Sequence, residues 1–306
     1  MPPKEQISIR LQNRLKRPLI KTLLYVLKVL ITAYILYIVF KDIDLRELLK
    51  SMLRLPLWMF IVLCGGSILR HWAQLRNWRH ALSLNPSYKM NDRDVLKSYL
   101  IGLPLRFAVP GGPASLGKVF WVDNSSHMAS VLAFGIERGF LTWATWSFAS
   151  GAALFYFTAI PLWLRVIVFT LCLAAPVLGI PILKAWPKGR QALPAYKQLA
   201  PRMALLQVGA ALIAYSQYWL ILNTHIQISW PESLKLMSLT NFSNSIPITL
   251  AGLGLRESFA VHFLGEAGFS AAQAISTTLT LFVVQDIIPA LIGLLVFLTR
   301  NKPVRV

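Results

Sequence analysis

The sequence predicts an all-α polytopic membrane protein with six spans and two re-entrant helix pairs, arranged as an inverted 3+3 repeat. Three observations predict this fold class. The 306 residues are 56% hydrophobic and only 14% charged, several apolar runs reach the roughly 20 residues that span a bilayer as a helix, and Lys and Arg gather between those runs. A net charge of +19 would suggest nucleic acid for a soluble protein, but basic residues between spans are typical topology signals. No nucleic-acid partner is therefore expected.

The chain opens with a basic tail, residues 1–21, which we expect on the cytoplasmic side. The apolar run that follows, 22–40, is longer than a signal-peptide core, so it is predicted to be a retained first span. The second span, 56–72, continues as a cytoplasmic helix. Cys64 and Cys172 both fall inside apolar runs, which favours packing roles over a disulfide framework.

Two later apolar segments differ from the clean spans because Pro and Gly interrupt them. These segments, 95–120 and 234–263, each read as a helix pair that enters the membrane and turns back, with irregular backbone tolerated where protein or water surrounds it. The remaining spans are predicted at 126–158, 161–183, 201–226 and 269–299.

The distribution of Lys and Arg predicts the orientation. With a cytoplasmic amino terminus, the inside segments carry 20 Lys and Arg residues and the outside segments six. The loop 41–54 holds four of those six and is the weakest point of the assignment, because acidic neighbours count little in this rule. Both termini are therefore expected in the cytoplasm, and the membrane is expected to be the cytoplasmic (inner) membrane.

The two interrupted segments are similar to each other. Each contains a Pro, a Gly-containing turn, a Leu-Gly pair and a cation, which is Lys118 in the first and Arg256 in the second. Because three spans separate them, they enter the membrane from opposite sides, as inverted repeats do. The chain is thus predicted to be one integral membrane domain, 1–306, with a first repeat at 22–158 and a second at 159–300.

Three stretches resemble the flippase-like transmembrane domain of the lysylphosphatidylglycerol synthetase family. They are "ILRHWAQLRNWRHALSL", "FAVPGGPASLGKVF" followed by "ASVLAFGIERGFLTW", and "IPITLAGLGLRESFAVHFLGEAGFSAAQA". The resemblance implies a membrane protein that moves or holds lipids. In fused members this domain translocates the aminoacylated lipid that a soluble synthase domain makes, and this sequence looks like a stand-alone member. Lys118 stands where the family usually has an acid, and Gln285-Asp286 stand where it often has a basic residue.

Ionisable residues inside apolar segments are costly and often functional, so they are the candidate site. Cations favour phosphate strongly in a dry site, so the candidates for binding a lipid headgroup are Arg256, Arg138, Lys118 and Arg106. The supporting or proton-coupling carboxylates are expected to be Glu257, Glu137 and Asp286.

Each of these residues also has a structural alternative. Arg256 and Glu257 could form an ion pair that pins the re-entrant turn, and Arg106 and Lys118 could snorkel to the headgroups. Asp286 is expected to be neutral, hydrated or paired with a cation from another helix, for which the candidates are Arg256 and Arg138. Three further cations are interpreted as interface anchors instead of ligands: Arg70, Arg76 and Arg79.

The sequence contains none of the usual enzyme motifs, so no catalytic residue, metal or cofactor is expected. The predicted function is a lipid transporter or flippase that binds an anionic phospholipid or polyprenyl-phosphate headgroup at mid-membrane. Two alternatives stay open: a membrane-embedded enzyme of lipid phosphate metabolism, and a non-transporting scaffold for a separate lipid synthase. Membrane lipids are the expected partners, while a lipid synthase partner and homo-oligomers are left open.

Overall fold

The computed structural model describes residues 55–299, apart from 109–112, 123, 125–126 and 250–251, together with scattered positions between 26 and 50. Within the described residues the regular structure is entirely helical. The predicted tail 1–21 lies outside the described residues. The first predicted span, 22–40, is described at isolated positions only, and those positions are helical.

The helices agree closely with the apolar runs. Helix α1 covers the second predicted span and extends beyond it, as expected from the sequence. The bounds are α1 Leu57–Leu82, α2 Asp92–Ala108, a 3-10 segment Pro113–Trp121, α3 His127–Tyr156, α4 Leu162–Ala185, α5 Pro187–Leu222, α6 Trp230–Phe242, a 3-10 turn Ser243–Ser245, α7 Leu255–Gly265, α8 Ala271–Phe282, a π-helical turn Val283–Ile287 and α9 Ile288–Leu298.

Three helical stretches of the described chain are long and apolar enough to cross a bilayer: Leu162–Ala185, Gly189–Leu222 and Ala271–Leu298. The first of them, α4, exposes apolar side chains almost all round, and Leu183 is its buried residue. A helix that is apolar on every side and covered on hardly any has lipid as its natural surroundings. The protein is therefore a multi-pass membrane protein.

Both interrupted segments fold as two helical pieces. The first forms α2 and the 3-10 segment, and the second forms α6 and α7. In the second, Gly252 and Gly254 adopt positive φ angles of 80° and 82°, a conformation that favours glycine because other residues have a Cβ atom. These glycines let the chain turn sharply and start α7 at Leu255, directly before Arg256.

Helices α1, α3 and α5 form the centre of the molecule, and two separate apolar cores surround their opposite ends. One core includes the start of α1 and the ends of α3 and α5, so α1 runs antiparallel to the other two. Around this centre, α9 packs on α2 and α3 packs on α6. The contact of α9 with α2 is very close: a Cβ atom on Gly293 would collide with the Leu100 carbonyl oxygen.

Candidate functional site

A cavity of about 390 Å³ lies halfway along α1, α3 and α5, between the two apolar cores. Both interrupted segments contribute to its wall: the first through α2 and the 3-10 segment, and the second through the turn between α6 and α7 together with the start of α7. The charged side chains that line it are Arg70, Arg106, Lys118, Glu137, Arg138, Arg256 and Asp286. Six of the seven residues in the predicted site thus line one cavity.

Lys118 is held almost completely inside the protein, with 3% of its surface exposed. Its Nζ lies 2.5 Å from Oε2 of Glu137 on α3 and 3.8 Å from the centre of the Trp78 ring on α1. A cation over an aromatic face and beside a carboxylate is well stabilised. Lys118 therefore links the 3-10 segment to two central helices, and the structure does not support the snorkelling alternative for it.

Arg256 and Glu257, adjacent in the chain, contact each other at the start of α7. Oε1 of Glu257 accepts hydrogen bonds from Nη2 and Nε of Arg256, at 2.6 and 3.0 Å. The other oxygen, Oε2, accepts from the backbone N–H of Gly254 at 2.7 Å and so caps the helix. Glu257 is fully buried and does not line the cavity. It fixes the direction of Arg256, which does.

Asp286 pairs with Arg106, whose Nη1 lies 2.6 Å from Oδ1 of the carboxylate. The two partners named from the sequence were Arg256 and Arg138, and for the direct contact that expectation is wrong. The physical reason is the packing of α9 on α2, which brings the π-helical turn beside the end of α2. Arg256 interacts with Asp286 only electrostatically.

The π-helical turn around Asp286 is followed by a proline, which removes one backbone donor from the helix at this point. The N–H of Ile288 donates to the carbonyl of Val283. Pro289 has no N–H, so it cannot donate to the carbonyl of Val284 in a π-helical pattern or to that of Gln285 in an α-helical pattern. Helix α1 supplies donors to both carbonyls: the Ser67 hydroxyl reaches the Val284 carbonyl at 3.1 Å, and Nε2 of His71 reaches the Gln285 carbonyl at 2.9 Å. Helix α1 therefore holds the turn that carries Asp286.

Two arginines in the cavity form no direct ion pair among the described residues, although Asp286 attracts Arg70 and Glu137 attracts Arg138 electrostatically. Arg138 donates from Nη2 to the Ser115 hydroxyl at 2.9 Å, while its Nε is buried without a hydrogen-bond partner. On Arg70, Nη1 is buried in the same way. The sequence was taken to favour Arg70 as an interface anchor, but the structure has it on the cavity wall.

A sequence signal for Arg70 exists in the spacing of polar residues along α1. Four of them follow the i, i+3, i+4, i+7 pattern that marks one face of a helix: Ser67, Arg70, His71 and Gln74. Arg70 and Gln74 line the cavity, whereas Ser67 and His71 bind the π-helical turn. The polar stripe thus indicated an inward-facing surface.

In the part of the chain that the structure describes, no group of three or more His, Cys, Asp or Glu side chains is placed to hold a metal ion. Cys64 and Cys172 are free, half-buried thiols. The cavity walls combine guanidinium, ammonium and carboxylate groups with amide, hydroxyl and phenol side chains.

The fold and the site place this molecule in the class of helical membrane proteins with a charged cavity lined by two interrupted segments. Residues 25–293 match the family model described as the lysylphosphatidylglycerol synthase TM region. The chain belongs to that family, which agrees with the resemblance seen in the three sequence stretches. A comparison with curated proteins gives no match.

Proposed function

We propose that the protein is a lipid transporter that binds an anionic phospholipid or polyprenyl-phosphate headgroup in the central cavity and helps it cross between leaflets. The observation that carries the proposal is the excess of cations inside an apolar membrane protein. Five basic side chains line the cavity against two carboxylates, and the third carboxylate, Glu257, is in contact with Arg256 behind the wall. Membership in a lysylphosphatidylglycerol synthase membrane-region family supports a role with lipids.

The roles proposed for the charged groups follow from their contacts. Arg256, Arg138, Lys118 and Arg106 are the headgroup cations, because guanidinium and ammonium groups bind phosphate through charge-assisted hydrogen bonds. Glu257, Glu137 and Asp286 hold three of these cations in position. Glu137 and Asp286 also line the cavity, so they are the candidates for a coupling proton. The proposal assigns no chemical step and no catalytic residue to the cavity.

The proposed architecture is the predicted one, with six spans and two re-entrant pairs in an inverted repeat. Helix packing supports a two-fold relation: α3, the last span of the first repeat, packs on α6, and α9, at the end of the second repeat, packs on α2. The corresponding helices α1 and α5 pack on each other at the centre. Both interrupted segments then reach the cavity from opposite sides, as alternating access needs.

The proposed location is the cytoplasmic membrane with both termini inside. The count of Lys and Arg supports it. The start of α1 shares an apolar core with the ends of α3 and α5, so α1 runs in the opposite direction to these two helices. These are the directions that the count of Lys and Arg predicts. Membrane lipids are the proposed partners. A separate synthase that supplies the lipid, and a second copy of the chain, are compatible with the proposal and are not needed by it.

The test is lipid movement in vesicles that contain the purified protein. Fluorescent phosphatidylglycerol in the outer leaflet should become protected from a membrane-impermeant quencher faster with the wild type than in protein-free vesicles. Arg138→Gln should lower this rate at least about tenfold, since it removes a charge-assisted contact to phosphate. Arg76→Gln is the matched control because Arg76 lies on the exposed surface beside Trp72, outside the cavity.

Equal rates with the wild type and with protein-free vesicles, for phosphatidylglycerol and for polyprenyl phosphate, would contradict transport. A product formed from either lipid that requires Glu137 and Asp286 would favour the enzyme alternative instead. If Arg138→Gln and Arg76→Gln lower the rate equally while both proteins stay folded, the cavity is not the route.

A further inference from the structure

The cavity has more positive charge than its own carboxylates neutralise. Three of its five cations are matched one to one, as Lys118 with Glu137, Arg106 with Asp286, and Arg256 with Glu257. The two left over are Arg70 and Arg138, which form no direct ion pair in the described part of the chain. Asp286 and Glu137 attract them electrostatically but are already paired with Arg106 and Lys118. The described walls of the cavity therefore carry two uncompensated positive charges.

The two unmatched arginines can act on the same ligand. Arg70 comes from α1 and Arg138 from α3, and both interact electrostatically with the buried Tyr99 on α2. Each has a buried guanidinium nitrogen without a hydrogen-bond partner, Nη1 of Arg70 and Nε of Arg138. A buried donor without an acceptor is unfavourable. Both side chains line the cavity, so rotation of either guanidinium group toward a bound anion would supply the acceptor that its buried nitrogen lacks.

The charge excess discriminates between the two kinds of phosphate that lipids carry. A phosphate diester, as in phosphatidylglycerol, has one negative charge. A phosphate monoester has close to two at neutral pH, because its second ionisation lies near pH 6, and it offers three terminal oxygens as acceptors. Two planar guanidinium groups suit this group because each can donate two parallel hydrogen bonds.

We propose that the cavity selects a phosphate monoester group, of the kind found in phosphatidic acid or a polyprenyl monophosphate, and that Arg70 and Arg138 together make this selection. The inference rests on the proposed function, since it names the class of headgroup for the same cavity. It also adds Arg70 to the binding residues. Lys118, Arg106 and Arg256 contribute positive potential but keep their carboxylate partners.

Binding to the purified full-length protein in zwitterionic nanodiscs tests the selection. The probes are phosphatidic acid and phosphatidylmethanol with identical acyl chains, which differ by one methyl group and hence by one charge. Inorganic phosphate is the third probe, because it offers a similar dianion without a lipid. Phosphatidic acid should bind at least about tenfold more tightly than phosphatidylmethanol, as expected when one charge-assisted contact is gained, and inorganic phosphate should compete only weakly.

Variants of the two arginines then assign the preference. Arg70→Gln and Arg138→Gln should each bring the affinities for phosphatidic acid and phosphatidylmethanol to within about twofold of each other, whereas Arg76→Gln should keep the wild-type ratio. Arg70→Lys retains the charge but not the planar donor pair, so it should keep part of the preference. Measurable binding of phosphatidic acid by Arg70→Lys would show that a change at this position leaves the protein folded, so the loss in Arg70→Gln can be assigned to lost recognition.

Equal affinity of the wild type for the two lipids would overturn the inference and leave lipid transport standing. A preference for phosphatidic acid that survives both Arg70→Gln and Arg138→Gln would also overturn it. Tight competition by inorganic phosphate would support monoester recognition but argue for a free phosphate as the ligand. Saturable binding of none of the three probes would contradict both the inference and the proposed function.

Discussion

Lys118 shows how much of a buried charge's role depends on what surrounds it. Its ammonium group contacts Glu137 and the face of Trp78, and the structure describes both partners as buried. Such a cation already has a carboxylate and an aromatic partner before any ligand binds. Arg70 and Arg138, which keep unsatisfied nitrogens, have more to offer to a phosphate. At the scale of single residues, the partners of a cation indicate more about its role than its burial does.

The pair of Lys118 and Glu137 gives the first prediction. Lys118→Met leaves a buried carboxylate without its cation, so it should lower the free energy of unfolding by about 3 to 5 kcal/mol, whereas the double variant Lys118→Met/Glu137→Leu should recover most of the loss. The measurement is thermal unfolding in detergent, with the folded fraction at each temperature detected by fluorescence after size-exclusion chromatography. If Lys118→Met, Glu137→Leu and the double variant all unfold at the wild-type temperature, the pair contributes nothing to the stability of the fold.

Interrupted helices determine where the site residues lie. Gly252 and Gly254 turn the chain so that α7 begins beside the cavity, and the π-helical turn presents Asp286 to Arg106. The proline after this turn removes one backbone donor from the helix, and Ser67 and His71 donate to carbonyls of the turn. Irregular backbone thus carries or adjoins Lys118, Arg256 and Asp286, whereas the other charged groups of the cavity lie on α1, α2 and α3.

Close packing of α9 on α2 gives the second prediction, because this contact aligns Asp286 with Arg106. Gly293→Ala adds a Cβ atom that would meet the Leu100 carbonyl oxygen and Cδ of Pro104, so the helices must separate. Overpacking of this kind costs about 1 to 3 kcal/mol, and the unfolding temperature should fall. Gly135→Ala on α3 is the matched control, since nothing lies within 4 Å of the added atom. Equal unfolding temperatures for both variants would contradict the close contact of α9 with α2.

Much of the element pattern could be predicted from the sequence because helix length and hydropathy are local properties. The apolar runs predicted where the long helices lie, and Pro with Gly marked both interrupted segments. Local patterns do not contain the pairing of charges over long separations, which is why the partner of Asp286 was predicted wrongly. Arg106 is 180 residues away in the chain, and only the contact of α9 with α2 brings it close. Arg70 was missed for a different reason, since it stands at the end of an apolar run where anchors are common.

The whole molecule places a charged cavity between two apolar cores, with both interrupted segments in its wall. The related pairs of helix contacts, α3 with α6 and α9 with α2, are what an inverted repeat would produce. An inverted repeat requires the segments before α6 and before α5 to lie on opposite sides of the membrane. Orientation is therefore a testable property of the whole chain.

Labelling of single cysteines gives the third prediction. In a variant without Cys64 and Cys172, Gln227→Cys should react with a membrane-impermeant thiol reagent added outside intact cells, and Gln191→Cys should react only after the membrane is opened. Both side chains are exposed in the structure, so a lack of reaction reports on the membrane side and not on burial. The opposite labelling pattern would contradict both the orientation and the inverted repeat.

The position of the lipid headgroup during transport tests the central claim most directly. Reconstituted protein can be irradiated with a phosphatidic acid that carries a photoreactive group on its acyl chain next to the glycerol, so that the phosphate stays a monoester, and the crosslinked residues can be identified by mass spectrometry. The account predicts crosslinks on the cavity wall from both interrupted segments, around Leu103 and Asn244, and predicts their loss when excess unlabelled phosphatidic acid is present. Crosslinks confined to the exposed face of α4, with none in either interrupted segment, would contradict it.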